Sequence, residues 1–230
     1  MTYKNIVSGR FISRPNRFIA KVNINGQEET VHVKNTGRCK ELLIPGCKVF
    51  LAPSENPNRK TKFDLIAVIK KTENKEILIN MDSQIPNLAA VEWLKKGTLF
   101  SKEALIKREV TFKNSRFDLY IEDDGRKAFI EVKGVTLENN GTAMFPDAPT
   151  IRGVKHINEL IEAAKEGYEA YVLFVIQMKG AKEFKPNNKT HKEFGEALKR
   201  AYASGVKILA YDCNVTPSTI EINSPIKTNI

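Results

Sequence analysis

The chain of 230 residues is 41% hydrophobic and 28% charged, values that argue against disorder and fit one large or two small domains. Its longest apolar run, Ala170 to Ile176, is far below the ~20 residues of a membrane span, and Met1-Thr-Tyr-Lys-Asn5 lacks the apolar stretch of a signal peptide. Cys39, Cys47 and Cys213 are too few, and odd in number, for a disulfide framework, so reduced thiols, a cytoplasmic location and no membrane partner are expected.

In chain order, the first third reads as strands. Asn5 to Ile12 is the first, and Arg17 to Ile24 alternates up to Asn25-Gly26. Those two residues tolerate positive φ and turn the chain back into Gln27 to Val33. Cys47 to Ala52, Lys62 to Lys70 and Glu76 to Met81 follow, separated by loops rich in Asn, Pro and Lys. A small closed barrel is the economical arrangement, because closure removes exposed strand edges. From Pro86 the period changes. Pro86 to Gly97 predicts a helix; Lys107 to Phe112, Arg116 to Glu122 and Lys127 to Lys133 predict strands, the last two joined at Asp124-Gly125. Thr150 to Glu166 repeats apolar residues at helical spacing, Ala170 to Ile176 suits a buried strand, Lys189 to Ser204 a second amphipathic helix and Val206 to Tyr211 a last strand. This order describes a mixed α/β domain, so domains of 1–85 and 86–230 are expected. Residues 1–85 carry 15 basic and 8 acidic residues, net +7, whereas 86–230 carry 22 and 19, net +3. A polyanion such as nucleic acid is therefore expected to meet mainly the first domain.

Chemistry concentrates in Ser115-Arg-Phe-Asp118 and Phe129-Ile-Glu131-Val-Lys133. Strand alternation sets Glu131 and Lys133 on one side. If Asp118 points the same way, two hard oxygen donors and an ammonium converge, a set suited to Mg²⁺ or Mn²⁺ with a phosphodiester. Glu-x-Lys alone is weak evidence, since Glu73-Asn-Lys75 and Glu183-Phe-Lys185 share it. Only the middle copy ends an apolar strand that follows, across a turn, another strand bearing an aspartate.

The order helix, Glu109, Asp118, Glu131-x-Lys133, helix resembles the PD-(D/E)XK nuclease superfamily. Over nearly the whole chain, Arg14-Pro-Asn-Arg-Phe18, Asn35-Thr-Gly-Arg38, Glu41-Leu-Leu43, Ser115 to Asp118, Glu131 to Lys133 and Phe145 to His156 resemble the sugar fermentation stimulation protein A family. The resemblance implies an N-terminal OB-fold barrel and a C-terminal PD-(D/E)XK nuclease-like α/β domain that together bind DNA. It implies Asp118 and Glu131 as ligands of Mg²⁺ or Mn²⁺, Lys133 as the catalytic lysine, and a further carboxylate from Glu92 or Glu109. Phe117 stands where the superfamily pattern has proline.

Other residues are candidates for contacting nucleic acid. Arg152, Lys155 and His156 cluster at the start of the helix after Thr150, where the backbone already favours anions. Arg14, Arg17 and Arg38, with Arg59 and Lys60 in a basic loop, supply cations on the barrel. Phe18 is expected to pack in the core, and Gly37 to serve a turn of positive φ. A largely sequence-independent DNA-binding protein with a metal-dependent nuclease site is the expectation. A non-catalytic DNA-binding regulator of sugar (maltose) metabolism with a vestigial site, an RNA-binding or RNA-processing protein, and a homo-oligomeric assembly all stay open.

Overall fold

A computed structural model describes residues 1–35, 37–54, 56, 58–73 and 75–230; Thr36 of the Asn35–Arg38 turn and Asn74 of Glu73-Asn-Lys75 lie outside them. The first five strands are β1 (Val7–Asn16), β2 (Ile19–Ile24), β3 (Gln27–Val33), β4 (Lys48–Pro53) and β5 (Phe63–Lys71). β1 lies between β2 and β4, β5 follows β4, and β3 returns to pair with β5 through His32–Asp64 and Val33–Leu65, which closes the barrel. Alternate residues fill it: Ala20, Val22, Val31, Val49, Leu51 and Leu65 have no exposed surface. The β2–β3 turn is as expected, with Asn25 at φ 51° and Gly26 at φ 89°. β6 (Glu76–Asn80) extends β5 antiparallel.

The mixed α/β domain begins with α1 (Ile85–Leu94), its Pro86 in the first turn where no N–H is needed. Its main sheet comprises β7 (Leu105–Phe112), β8 (Ser115–Asp123), β9 (Arg126–Val135), β12 (Glu169–Ile176), β14 (Lys207–Val215) and β15 (Ile220–Pro225), ordered β15-β14-β12-β9-β8-β7. β12 is parallel to both neighbours. Its apolar run serves two faces: Tyr171, Leu173 and Val175 pack with α1, while Val172, Phe174 and Ile176 join the core beneath α2 (Ile151–Lys165) and α3 (Lys192–Ala203). That is why the run lacks alternation.

The sequence reading missed a second sheet. It is built from β10 (Leu137–Asn139), β11 (Thr142–Phe145), β13 (Glu183–Pro186) and β16 (Lys227–Thr228). Strands of two to four residues are too short for a readable period, and their pairing is set by distant partners. One core cluster runs from barrel residues such as Val49, Leu51 and Met81 to Phe174 and Ile176, so the halves share a core. Polar contacts reinforce the junction. Gln177 donates to Asn80 and Asp82, and Lys34 pairs with the fully buried Asp82 at 3.1 Å.

Candidate active site

The strands β8 and β9 pair up to Leu119–Ile130 and then part. Asp118 sits at that parting, where its Oδ2 accepts the Val132 N–H at 2.8 Å, a donor the ladder no longer satisfies. Asn87 on α1 donates to Oδ1 at 2.7 Å, a support the sequence reading missed. Its only sequence signal was an Asn near a helix start. Glu131, one pair beyond the parting, is 2% exposed. Its Oε1 accepts Lys133 Nζ at 2.5 Å and also the His156 Nδ1–H. Arg152 Nε approaches His156 Nε2 at 3.3 Å, on the ring edge opposite the Glu131 contact.

Glu131 Oε2 is buried and accepts no hydrogen bond from the protein. Leaving such an oxygen unpaired is costly unless something else occupies it. The electrostatics agree. Burial, and secondarily the charge of Glu131, push Asp118 above the usual carboxylate range. Burial would raise Glu131 as well, but the His156 bond and the Lys133 ammonium outweigh it and hold Glu131 below that range. Two carboxylates with hard oxygens, one of them orphaned, fit Mg²⁺ or Mn²⁺. Among the described residues no group of three or more His, Cys, Asp or Glu gathers to hold a metal. Water and phosphate would have to complete the shell.

The remaining candidates separate. Glu109 lies between the Arg108–Leu119 and Val110–Phe117 pairs, level with Asp118. Its backbone is left-handed (φ 56°), and its 57% exposed carboxylate pairs with Arg116. Glu92 points to the Met1 amino group at 2.5 Å and is 51% exposed. Neither joins Asp118 and Glu131. The pair Glu183–Lys185 also closes at 2.5 Å, so an ion pair within Glu-x-Lys is no signature of a site. Burial is the difference, since the Glu183 side chain is 24% exposed.

Several of the other candidates have partners within the protein. His156 is buried on Glu131 and acts on the carboxylate, because α2 packs its first turns over β9. Arg14 spends its terminal nitrogens on the carbonyls of Arg17, Asn35, Gly37 and Arg38 at 2.7–2.9 Å, organising two loops. Arg14→Lys, which lacks that fork, is expected to cost about 1–2 kcal/mol in urea unfolding. Arg59 is held by Asp64 and Thr61. A Cβ on Gly37 would stand 2.3 Å from Asp147 Oδ2 and 2.9 Å from Asn35 Oδ1, so a larger residue would have to displace both side chains. Arg17, Arg38 and Lys60 are exposed, and so are Arg152 and Lys155 at the start of α2. Thr150 caps that helix, as expected, by accepting Gly153 N–H.

The family model for the sugar fermentation stimulation protein RE domain matches residues 84–219, and that for the SfsA N-terminal OB domain matches residues 12–79. The chain belongs to the sugar fermentation stimulation protein (SfsA) family. A family homologue from Clostridium beijerinckii is 60% identical over 222 residues, covering 96% of each chain. One from Ruminiclostridium cellulolyticum is 58% identical over 230 residues, all of both chains. The structure of Pyrococcus furiosus SfsA in complex with Ca²⁺ has a TM-score of 0.88 at 30% identity, covering 100% of this chain and 98% of that one. The expected fold, an OB barrel followed by a mixed α/β domain, holds. Among the described residues no helix is long and apolar enough to cross a membrane.

Proposed function

We propose that the protein is a divalent-metal-dependent nuclease that binds DNA largely without regard to sequence. The observation that carries this reading is the buried, unpartnered Glu131 Oε2 beside Asp118. Asp118 and Glu131 would hold Mg²⁺ or Mn²⁺, which when bound polarises a phosphodiester and makes a water more acidic. Lys133, 16% exposed and fixed on Glu131, is placed to stabilise negative charge developing on the phosphate. His156 orients Glu131 and helps keep it ionised. Arg152 and Lys155, with the N-terminal end of α2, favour neighbouring phosphates. The description of the Pyrococcus furiosus relative as a complex with Ca²⁺ supports a hard, oxygen-ligated cation here.

Thermal unfolding with and without cation tests this reading. An aspartate raised above its unfolded value costs stability, a penalty absent below that value and complete once pH exceeds the raised one. Asp118→Asn is therefore expected to stabilise the cation-free protein at neutral pH. An Asn here still accepts the Val132 N–H, and its amide can donate to a flipped Asn87. Mn²⁺ at a hundredfold excess over its dissociation constant should stabilise the wild type by roughly 2.7 kcal/mol and leave Asp118→Asn unmoved. Equal responses in both proteins would put the cation elsewhere. No response in either, together with inactivity on single- and double-stranded DNA and RNA, would favour the non-catalytic regulator.

A further inference from the structure

Phe18 was expected in the core, yet it is 44% exposed. It sits in the β1–β2 turn, where Asn16 Oδ1 accepts its N–H and its own carbonyl accepts from Val33, so its backbone is held while its ring faces outward. The Arg17 guanidinium lies over that ring, 4.6 Å from its centroid. Arg17 also lines an open groove of about 430 Å³ with Arg14, Asn16, Gly37, Arg38, Lys40 and Leu43. Lys34, Arg59 and Lys70 on the same domain are ion-paired, but among the described residues Arg17, Arg38 and Lys40 have no carboxylate within ion-pair distance. Here the barrel concentrates cations without neutralising them and sets a flat aromatic surface beside them.

The groove meets a second cleft at Gly37. The same glycine lines a smaller cleft of about 150 Å³ with Gly134, the residue after Lys133, and with Asp147. Its close approach to Asp147 brings the barrel loop against the segment that leads into α2. Groove and cleft therefore adjoin at Gly37, where the two domains meet.

We infer that the Arg17–Phe18 platform and the groove behind it hold an unpaired segment of single-stranded DNA. A base exposes its π-face only when it is unstacked, and that face is what an outward ring with a guanidinium can take up. Arg38 and Lys40 meet the phosphates on either side. Duplex DNA, whose bases are stacked, can use only the cations. DNA is named because the inference rests on the DNA-binding reading proposed above; the oligo-U arm below separates it from RNA. The inference deepens the nuclease reading but rests on binding alone, so it can fail or succeed separately.

The test is fluorescence anisotropy of full-length protein, in chelator, with a labelled oligo-dT strand, the same strand in duplex with oligo-dA, and oligo-U. Phe18→Ala should weaken oligo-dT binding roughly tenfold with an unchanged salt slope, and leave duplex binding within twofold. Arg38→Ala should instead lower the salt slope for both DNAs by about one. A 2-aminopurine strand should lose fluorescence on binding wild type and keep it with Phe18→Ala. Tyr202→Ala, which removes an exposed ring on α3, should behave as wild type. Wild-type oligo-dT affinity in Phe18→Ala, an equal loss on duplex, or tighter binding of oligo-U would overturn the inference. Loss of oligo-dT affinity in Phe18→Ala supports it even if no substrate is cleaved, in which case only the nuclease reading falls.

Discussion

Lys133→Met is expected to lower phosphodiester cleavage by roughly 10²-fold or more, the size typical of removing a preorganised charge from a developing anion. Cation-induced stabilisation should persist, because Lys133 Nζ bonds Glu131 Oε1 and leaves the orphaned Oε2 untouched. Glu131→Ala should abolish both cleavage and the cation response. It removes the buried oxygen and leaves Lys133 and His156 with no carboxylate between them. DNA affinity should stay similar or rise, since one negative charge facing phosphate is gone. Lys185→Ala removes the 47% exposed lysine of the other ion-paired Glu-x-Lys and should change nothing. Cleavage is best followed on labelled single- and double-stranded DNA with Mg²⁺, Mn²⁺ or chelator. Turnover that survives in Glu131→Ala would mean that another site, or another enzyme, is responsible.

Lys70→Met is expected to destabilise the protein by about 3–5 kcal/mol, because it strands a buried carboxylate. Lys70 on barrel strand β5 reaches Glu138 on β10, bonding Oε2 at 2.7 Å and also the Glu138 carbonyl. Glu138 is 4% exposed, and its Oε1 accepts the Gly141 N–H at 2.6 Å. Burial alone would raise Glu138, but the Lys70 bond and the Gly141 N–H hold it below the usual carboxylate range. Its contribution is therefore present above the unfolded value and lost as pH falls toward the lowered one. Lys70→Met/Glu138→Gln, which removes both charges, should recover most of the loss and flatten the acid limb of the stability curve. Urea unfolding at several pH values measures this. A Lys70→Met protein within about 0.5 kcal/mol of wild type would show that the pair contributes little to joining the halves.

Much of this protein could be read from residue order, because its determinants are local. Alternation and Asn25-Gly26 specify the β2–β3 hairpin, Asp124-Gly125 specifies the turn between β8 and β9, and Thr150 followed by spaced apolar residues specifies α2. The pairing of Asp118 with Glu131 was legible for the same reason: the two strands are joined by a tight turn, so register follows from sequence distance. The fates of the cationic side chains were not legible. Arg14, Arg17, Arg38 and Arg59 look alike in sequence. Only the fold decides that Arg14 turns onto four carbonyls, that Arg59 meets Asp64, and that Arg17 and Arg38 have no carboxylate partner among the described residues. The same holds for Phe18, whose exposure depends on where the β1–β2 turn lies, and for Glu109, which register would aim at Asp118 but a left-handed backbone turns away. A side chain's partner is set by elements far away in sequence, as Gln177 and Asn80 are, and no local period records them.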